Sequence, residues 1–321
     1  MYKDVLARLA QGRAEALIVS RAGLATQARI SADMLRQGRG VAWVVKNRDE
    51  LLMAQGLLAL FSPACPSGEA GSSEVSTSPW AVLPPFSPRA ATREGWAERL
   101  AALYALRSGR AKALLLTADS LLPRLVPLDF FDDQELRLTQ GEETSLEMLL
   151  EQVVQWGYSR VPMVSNPGEV ARRGDILDIM PPGYEKPLRL DFFGDLIEEI
   201  RLFDPVTQRS RGNLHEALIL PVSPLRRDTQ GEARMHARWQ RLFQKGLLNE
   251  NERFGLTRLL EQGDFRLMPG CCYDAATTLE AWLPSATLWM LPGRQELGEA
   301  LKSAESLWSQ AFEAQDAEGR P

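Results

Sequence analysis

The chain of 321 residues has few of the side chains that most often hold metals or form cross-links: three cysteines and two histidines. Cys65, Cys271 and Cys272 cannot build a disulfide framework, two of them being adjacent, and no CxxC or HExxH spacing offers a zinc site. Reduced thiols in a soluble, cytoplasmic protein are the expectation. No apolar run approaches the roughly 18–20 residues of a membrane span. The opening MYKDVLARLAQGRAEAL mixes charged and apolar residues, unlike the apolar stretch of a signal peptide. Neither sign of charge is in large excess: 37 Lys and Arg against 42 Asp and Glu give a net −5. That excludes the overall basic field of a nucleic-acid coat protein but not a local basic patch. A phosphate-binding GxxxxGK[ST] loop is also missing. The strand-to-helix turn that would carry it reads SRAGLATQ from Ser20 to Gln27, without the glycines or the lysine. Gly38-Arg39-Gly40 leads into a strand instead of opening a helix, so it is not a dinucleotide fingerprint.

What is present is ordinary globular material, 45% hydrophobic and 25% charged, long enough for two or three domains. Val5, Leu6 and Leu9 recur at helical spacing. Residues 16–20 and 41–45 then read as buried strands, and 25–35 and 49–60 as helices. Residues 62–78 are rich in Ser, Gly and Pro and read as a surface loop. Beyond it come a strand at 80–83, a helix at 96–106, a strand at 112–117 and a short helix at 120–125. This alternation predicts an α/β unit with a mostly parallel sheet.

A second unit begins near Leu128. Residues 145–156 form an amphipathic helix, capped by Thr144 or Ser145 and closed at Gly157. Short β-type runs follow at 160–164, 175–179, 188–193 and 198–203, predicting a small antiparallel sheet with one helix on a face. From about residue 216 the chain is helix-rich again, with helices at 233–244, 253–262, 277–282 and 295–312 and a strand at 287–291.

Few residues outside the stretch 158–210 suggest chemistry. Asp132, Asp133 and Glu135 read as a solvated turn more readily than as a metal site. His215 and His236 read as boundary and helix-surface residues, and Cys271-Cys272 as packing. Arg226, Arg227 and the arginines of 234–241 could form a nucleic-acid patch, but a solvated helix face explains them more simply.

The informative block runs from 158 to 210: RRGDILDI, then PLRLDFFGD, then IRLFDPVTQRS. It reads as a meander turning at Pro182-Gly183 and at Gly194-Asp195. Strand alternation sets Leu188, Leu190 and Phe192 on one face and Arg189, Asp191 and Phe193 on the other. Two readings stay open there. Either Arg189 and Phe193 are exposed together as an interface pair, or Phe193 is core and Arg189 snorkels.

These three runs, in this order and spacing, resemble the second domain of the bacterial transcription-repair coupling factors (Mfd) and, more distantly, the matching domain of the excision-repair protein UvrB. The resemblance covers most of residues 1–215; residues 216–321 fit by position and helix content. It implies a UvrB-like module of three parts. Residues 1–127 would be domain 1a, a degenerate P-loop/helicase-like α/β domain. Residues 128–215 would be domain 2, an inserted small α+β domain of antiparallel sheet plus helix. Residues 216–321 would be domain 1b, helix-rich and packed back on 1a.

In function it implies a non-catalytic recruitment module that binds UvrA and links stalled RNA polymerase to excision repair. No cofactor is expected here. ATP and Mg would belong to translocase domains, and RNA polymerase and double-stranded DNA would be met through domains absent from what looks like an N-terminal fragment. The C-terminal region of the whole protein would mask the UvrA surface. The UvrA-binding residues carried over are Arg173, Arg189 and Phe193, the arginines making bidentate contacts to carboxylates on UvrA and Phe193 filling a pocket. Arg172 competes with Arg173, and the register of the GDILDI run favours Arg173. The alternative is a UvrB-like nucleotide-dependent module binding damaged DNA. The SRAGLATQ turn departs from it, and so does the short Pro-rich stretch at 84–89, which stands where UvrB begins its long hairpin.

Overall fold

Strands β1 (Val41–Val45) and β3 (Ala113–Thr117) are buried at every position, and apolar at all but Thr117, because both faces of their sheet are covered. In the computed structural model, which describes residues 22–62, 78–86 and 91–318, they are the middle strands of a four-stranded sheet. Strand β2 (Trp80–Leu83) pairs with β3, and β12 (Leu288–Met290) with β1, every pair parallel. Helices α1 (Leu24–Arg36) and α2 (Arg48–Phe61) bury Ala28, Met34, Leu51 and Leu58 against Val41, Trp43, Val45 and Leu115. Helix α3 (Arg93–Arg107) sets Leu100 and Leu103 against Val44, Leu114 and Leu116 on the other face. Asn47 and Thr92 cap α2 and α3 by accepting from the amides of Glu50 (2.9 Å) and Gly95 (3.1 Å). The helix expected at 120–125 is a 3-10 turn, Ala118–Leu121, with Pro123 just beyond it. The strand and turn expected at 16–21, the helical spacing at Val5–Leu9, Cys65, and residues 63–77 and 87–89 of the two Pro-containing stretches lie outside the described residues.

The next unit is a six-stranded sheet backed by helix α4 (Leu146–Gln155). Its strands are β5 (Ser159–Arg160), β6 (Glu169–Arg173), β7 (Ile176–Ile179), β8 (Leu188–Phe193), β9 (Leu196–Phe203) and β10 (Ser210–Leu214), in the order β10-β9-β8-β7-β6-β5. All pairs are antiparallel except β5 with β6. Leu149, Leu150 and Val153 of α4 pack on Val170, Leu177, Leu190 and Ile200. Ser145 occupies the N-cap of α4, but its side chain makes no capping bond. Three elements differ from expectation. The strand at 160–164 shrinks to two residues because Pro162 has no N–H to continue the ladder beyond Val161. Residues 169–173 and 210–214, outside the expected β-type runs, each form a strand of five residues. The β6–β7 turn is Gly174-Asp175, with Gly174 at φ 63°, a left-handed backbone that glycine adopts freely.

A two-stranded ribbon joins the two units. Strand β4 (Leu136–Thr139) runs into the second unit and β11 (Glu216–Ile219) runs out, antiparallel, with Leu136 opposite Ile219. Alternate residues of β11 enter different cores: Ala217 and Ile219 join the α4 core, while Leu218 joins the core of the parallel sheet.

Helices α5 (Thr229–Gln244) and α6 (Glu250–Glu261) then pack with the short α7 (Pro269–Cys272) around Met235, Trp239, Leu260 and Leu267. The short α8 (Leu279–Trp282) leads to β12, which returns the chain to the first sheet, and α9 (Arg294–Glu318) follows. Glu296 of α9 pairs with Lys46 at 2.7 Å. No described helix is long and apolar enough to cross a membrane.

Candidate interaction face

Strand register decides what shares a face. Directly paired residues lie on the same side of a sheet, so the row Arg173, Ile176, Asp191, Glu199 and the row Ala171, Asp178, Arg189, Arg201 both face away from α4. Phe193, two residues beyond Asp191, belongs to this face and is 73% exposed. Phe192 turns inward and is buried. The face therefore holds Arg173, Arg189 and Phe193 together. Arg189 and Phe193 stand four residues apart on one strand, about 13 Å.

Arg172 takes the other side. It lies opposite Leu177, reaches α4, and pairs with Glu147 in that helix's first turn. Arg173 is exposed, and its Nη2 donates to the Pro162 carbonyl at 2.8 Å.

Of the two open readings of the 189/193 pair, the first holds for Phe193, and neither describes Arg189. Phe193 is exposed, but Arg189 is mostly covered, its side chain 15% accessible. Its guanidinium donates from Nε to Asp178 Oδ1 at 2.7 Å and from Nη2 to Asp178 Oδ2 at 2.8 Å. Nη2 also donates to Gln208 Oε1 at 3.2 Å, and the Phe203 ring lies 4.5 Å from the guanidinium carbon. The hydrogen bonds to Asp178 raise the Arg189 pKa above its ordinary value. The bidentate partner of Arg189 is thus a carboxylate of its own chain.

The cause of this burial is a second small core on the outer face. Val164, Ala171, Met180 and Phe203 pack there beneath the 161–164 segment, and the 204–209 turn closes one side. In that turn Asp204 accepts from the amides of Val206 (3.0 Å) and Thr207 (2.8 Å), and Gln208 holds a left-handed φ of 59°.

Asp178 and Gln208 escaped the sequence reading. Alternation assigns a face but not a neighbour. Pairing DILDI against LRLDFF so that Asp178 met Arg189 would have supplied one. Beside the arginine pair the same face carries a depression of about 540 Å³ lined by Asp175, Ile176, Asp191, Glu198, Glu199 and Arg201. Arg201 bridges Asp191 and Glu199 within it.

Several of the other candidate residues brace the fold. Asp132 pairs with Arg107, and Asp133 with Arg226 at 2.9 Å. Arg226 also donates to the carbonyls of Asp129 and Phe130. Arg238 and Arg241 both meet Asp274, and Arg227 reaches the Leu260 carbonyl. Arg226 and Arg238 are therefore internal braces, not the solvated face expected, because each finds a carboxylate and backbone carbonyls of its own chain. His236 stands edge-on to Trp239 at 5.1 Å, and burial pushes the Cys271 and Cys272 thiols up. Among the described residues no group of His, Cys, Asp and Glu could hold a metal ion. At the turn where a phosphate loop would lie, Gln27 donates to the Ala22 carbonyl (2.8 Å) and accepts from Trp43 Nε1 (2.8 Å).

With this geometry in place, comparison with known proteins is informative. Residues 136–224 match the UvrB interaction domain. The match begins on the first residue of β4 and ends just beyond β11, so it encloses the ribbon, α4 and the whole six-stranded sheet. The transcription-repair-coupling factor of Myxococcus xanthus is 32% identical over 231 residues, 66% of this chain and 18% of the relative. That of Haemophilus influenzae is 33% identical over 166 residues, 51% and 14%, and that of Staphylococcus aureus (strain MSSA476) 35% over 126 residues, 39% and 11%. Over these stretches the chain is similar to the transcription-repair coupling factors. It spans less than a fifth of the length of these curated relatives. The Arg173–Arg189–Phe193 face lies inside the matched segment.

Proposed function

We propose that the chain is a non-catalytic recruitment module of a transcription-repair coupling factor, binding UvrA through the outer face of the six-stranded sheet. The observation that carries this reading is the shared face of Arg173, Arg189 and Phe193 within the segment matched to the UvrB interaction domain. An exposed phenylalanine flanked by arginines is the composition of an interface hot spot. On this reading residues 128–215 are the UvrA-binding domain, 1–127 a degenerate P-loop/helicase-like α/β domain, and 216–321 a helix-rich domain packed against it. ATP, Mg, double-stranded DNA and RNA polymerase belong to other domains of the whole protein, whose C-terminal region masks this face at rest.

A UvrB-like nucleotide-dependent reading has less support. The turn that would carry the phosphate loop lacks its lysine, and the Gln27 amide is bonded there between Ala22 and Trp43. The test is titration calorimetry of the chain against purified UvrA, with Arg173→Ala and Phe193→Ala in parallel. Saturable binding weakened about tenfold or more by each substitution is expected. No binding by the unmodified chain would overturn the proposal.

A further inference from the structure

Resting on the UvrA reading, we infer that Asp178 and Gln208 are positioning residues for Arg189, and that Arg189 meets a neutral oxygen acceptor on UvrA, a main-chain carbonyl or an amide or hydroxyl oxygen, and not a carboxylate. A guanidinium has five N–H groups in a fixed plane. Asp178 takes the Nε hydrogen and one on Nη2, and Gln208 takes the other on Nη2. The two Nη1 hydrogens have no bond among the described residues, and Nη1 is not one of the buried unpaired atoms. Only that edge is offered outward. Phe203 backs the plane, so the group cannot swing to present another edge.

The charge argument gives the acceptor. Asp178 is 2% exposed and lies bidentate against Arg189, so the pair carries no net charge and its field beyond Nη1 is that of a dipole. A partner carboxylate would lose its water and gain only a one-point hydrogen bond from an already neutralised cation. A neutral oxygen loses much less on desolvation and keeps the same bond. The strained turn is consistent with the role. Gln208 holds φ 59° while its own Nε2 donates to the Pro205 carbonyl at 2.8 Å, which aims Oε1 at Arg189. Backbone strain of this kind persists where the surrounding structure fixes it for a purpose. Arg173 differs, having no carboxylate partner among the described residues, so its full charge is available to UvrA.

The test measures UvrA affinity by calorimetry for the unmodified chain, Arg189→Ala, Asp178→Asn, Gln208→Gly, Phe193→Ala and the double variants, at several salt concentrations. Gln208→Gly suits the left-handed backbone, so it removes the amide without threatening the fold. Expected are losses of about tenfold for Arg189→Ala and for Asp178→Asn, with the double variant no worse than Arg189→Ala alone. Gln208→Gly should lose about threefold, and nothing further once Arg189 is gone. Phe193→Ala should add in full to Asp178→Asn, which general damage to the sheet would not allow. Arg189→Ala should leave the salt dependence of binding unchanged, whereas Arg173→Ala flattens it. Additive losses for Asp178→Asn and Arg189→Ala overturn the positioning role while the recruitment reading stands. A salt dependence that falls with Arg189→Ala overturns the neutral acceptor. No binding by the unmodified chain overturns the recruitment reading and this inference with it.

Discussion

Substituting Gly168 by alanine tests whether the two sheet units and the C-terminal helices are held by one side chain. Gly168 has φ 83°, and a Cβ there would lie 2.3 Å from Arg93 Cδ, 2.9 Å from Arg93 Cγ and 3.3 Å from Val222 Cγ1. Arg93 starts α3 in the first unit. Its Nε donates to the Gly157 carbonyl of the second unit at 3.2 Å, and its guanidinium carbon lies 5.5 Å from the ring centre of Phe265 near the C-terminal helices. Alanine in a left-handed backbone costs about 1 kcal/mol. Pushing the middle of the Arg93 side chain aside gives up the bond to Gly157 and the contact with Phe265, together about 2 kcal/mol.

Gly168→Ala should therefore cost about 3 kcal/mol, and Arg93→Ala about 2 kcal/mol, in urea unfolding followed by tryptophan fluorescence. The double variant decides the matter. With Arg93 gone the two severe contacts are gone and only the 3.3 Å approach to Val222 remains, which a shift of a few tenths of an ångström relieves, so chiefly the backbone term is added and the total is again about 3 kcal/mol, not the roughly 5 kcal/mol of independent sites. Losses that add, or a Gly168→Ala cost below about 1 kcal/mol, would refute the reasoning.

Three further outcomes are expected. Phe193→Ser should leave the unfolding free energy within about 0.5 kcal/mol, the ring being 73% exposed, and yet weaken UvrA binding about tenfold or more; a stability loss without a binding loss would make Phe193 a packing residue. Asn249→Ala should cost about 1 kcal/mol and speed amide exchange at the start of α6, since Asn249 and Glu252 cap each other's amides at 2.8 and 2.7 Å; unchanged exchange would contradict that. Stability should fall as pH rises past the ordinary values of 9.0 for thiols and 10.0 for phenols. Burial holds the Cys271 and Cys272 thiols and the Tyr158, Tyr184 and Tyr273 phenols above those values, so the folded chain keeps protons that the unfolded chain releases. Arg99, lowered to about 10 by burial, works in the opposite direction only above that pH. A melting temperature flat from pH 8 to about 10.5 would refute this balance.

The parts of the fold legible in the sequence were those where one local pattern meets one structural cause. VAWVV and ALLL are unbroken apolar runs because helices cover both faces of their sheet, and LRLDFF alternates because one face meets α4. Strand β6 was not legible. Its residues EVARR end in two arginines that go to opposite sides, one to Glu147 on α4 and one to the outer face. The ribbon was equally hidden, because β11 alternates between two cores and so is apolar at every position from Ala217 to Ile219 where one-sided alternation was sought. For the interaction face, periodicity could place Arg189 and Phe193 on one side of the sheet. It could not reveal that Asp178 holds Arg189, since that pairing depends on the register of two strands separated by residues 180–187. The bracing of Arg226 and Arg238 was invisible for the same reason: Asp133 and Asp274 are 93 and 36 residues away along the chain.

The ribbon of β4 and β11 has a mechanical consequence. Two separate single-chain tethers would let a recruitment platform swivel about each one. Here the outgoing and returning strands are hydrogen-bonded side by side, from Leu136 opposite Ile219 to Thr139 opposite Glu216, and their side chains are set in the cores at both ends. Twisting the platform would shear that ladder and draw Leu218 out of one core or Ile219 out of the other. The ribbon acts as a two-ply strap, stiff in torsion. The direction in which the Phe193 face points is thus fixed relative to the parallel-sheet unit, and a rotation of one is carried to the other.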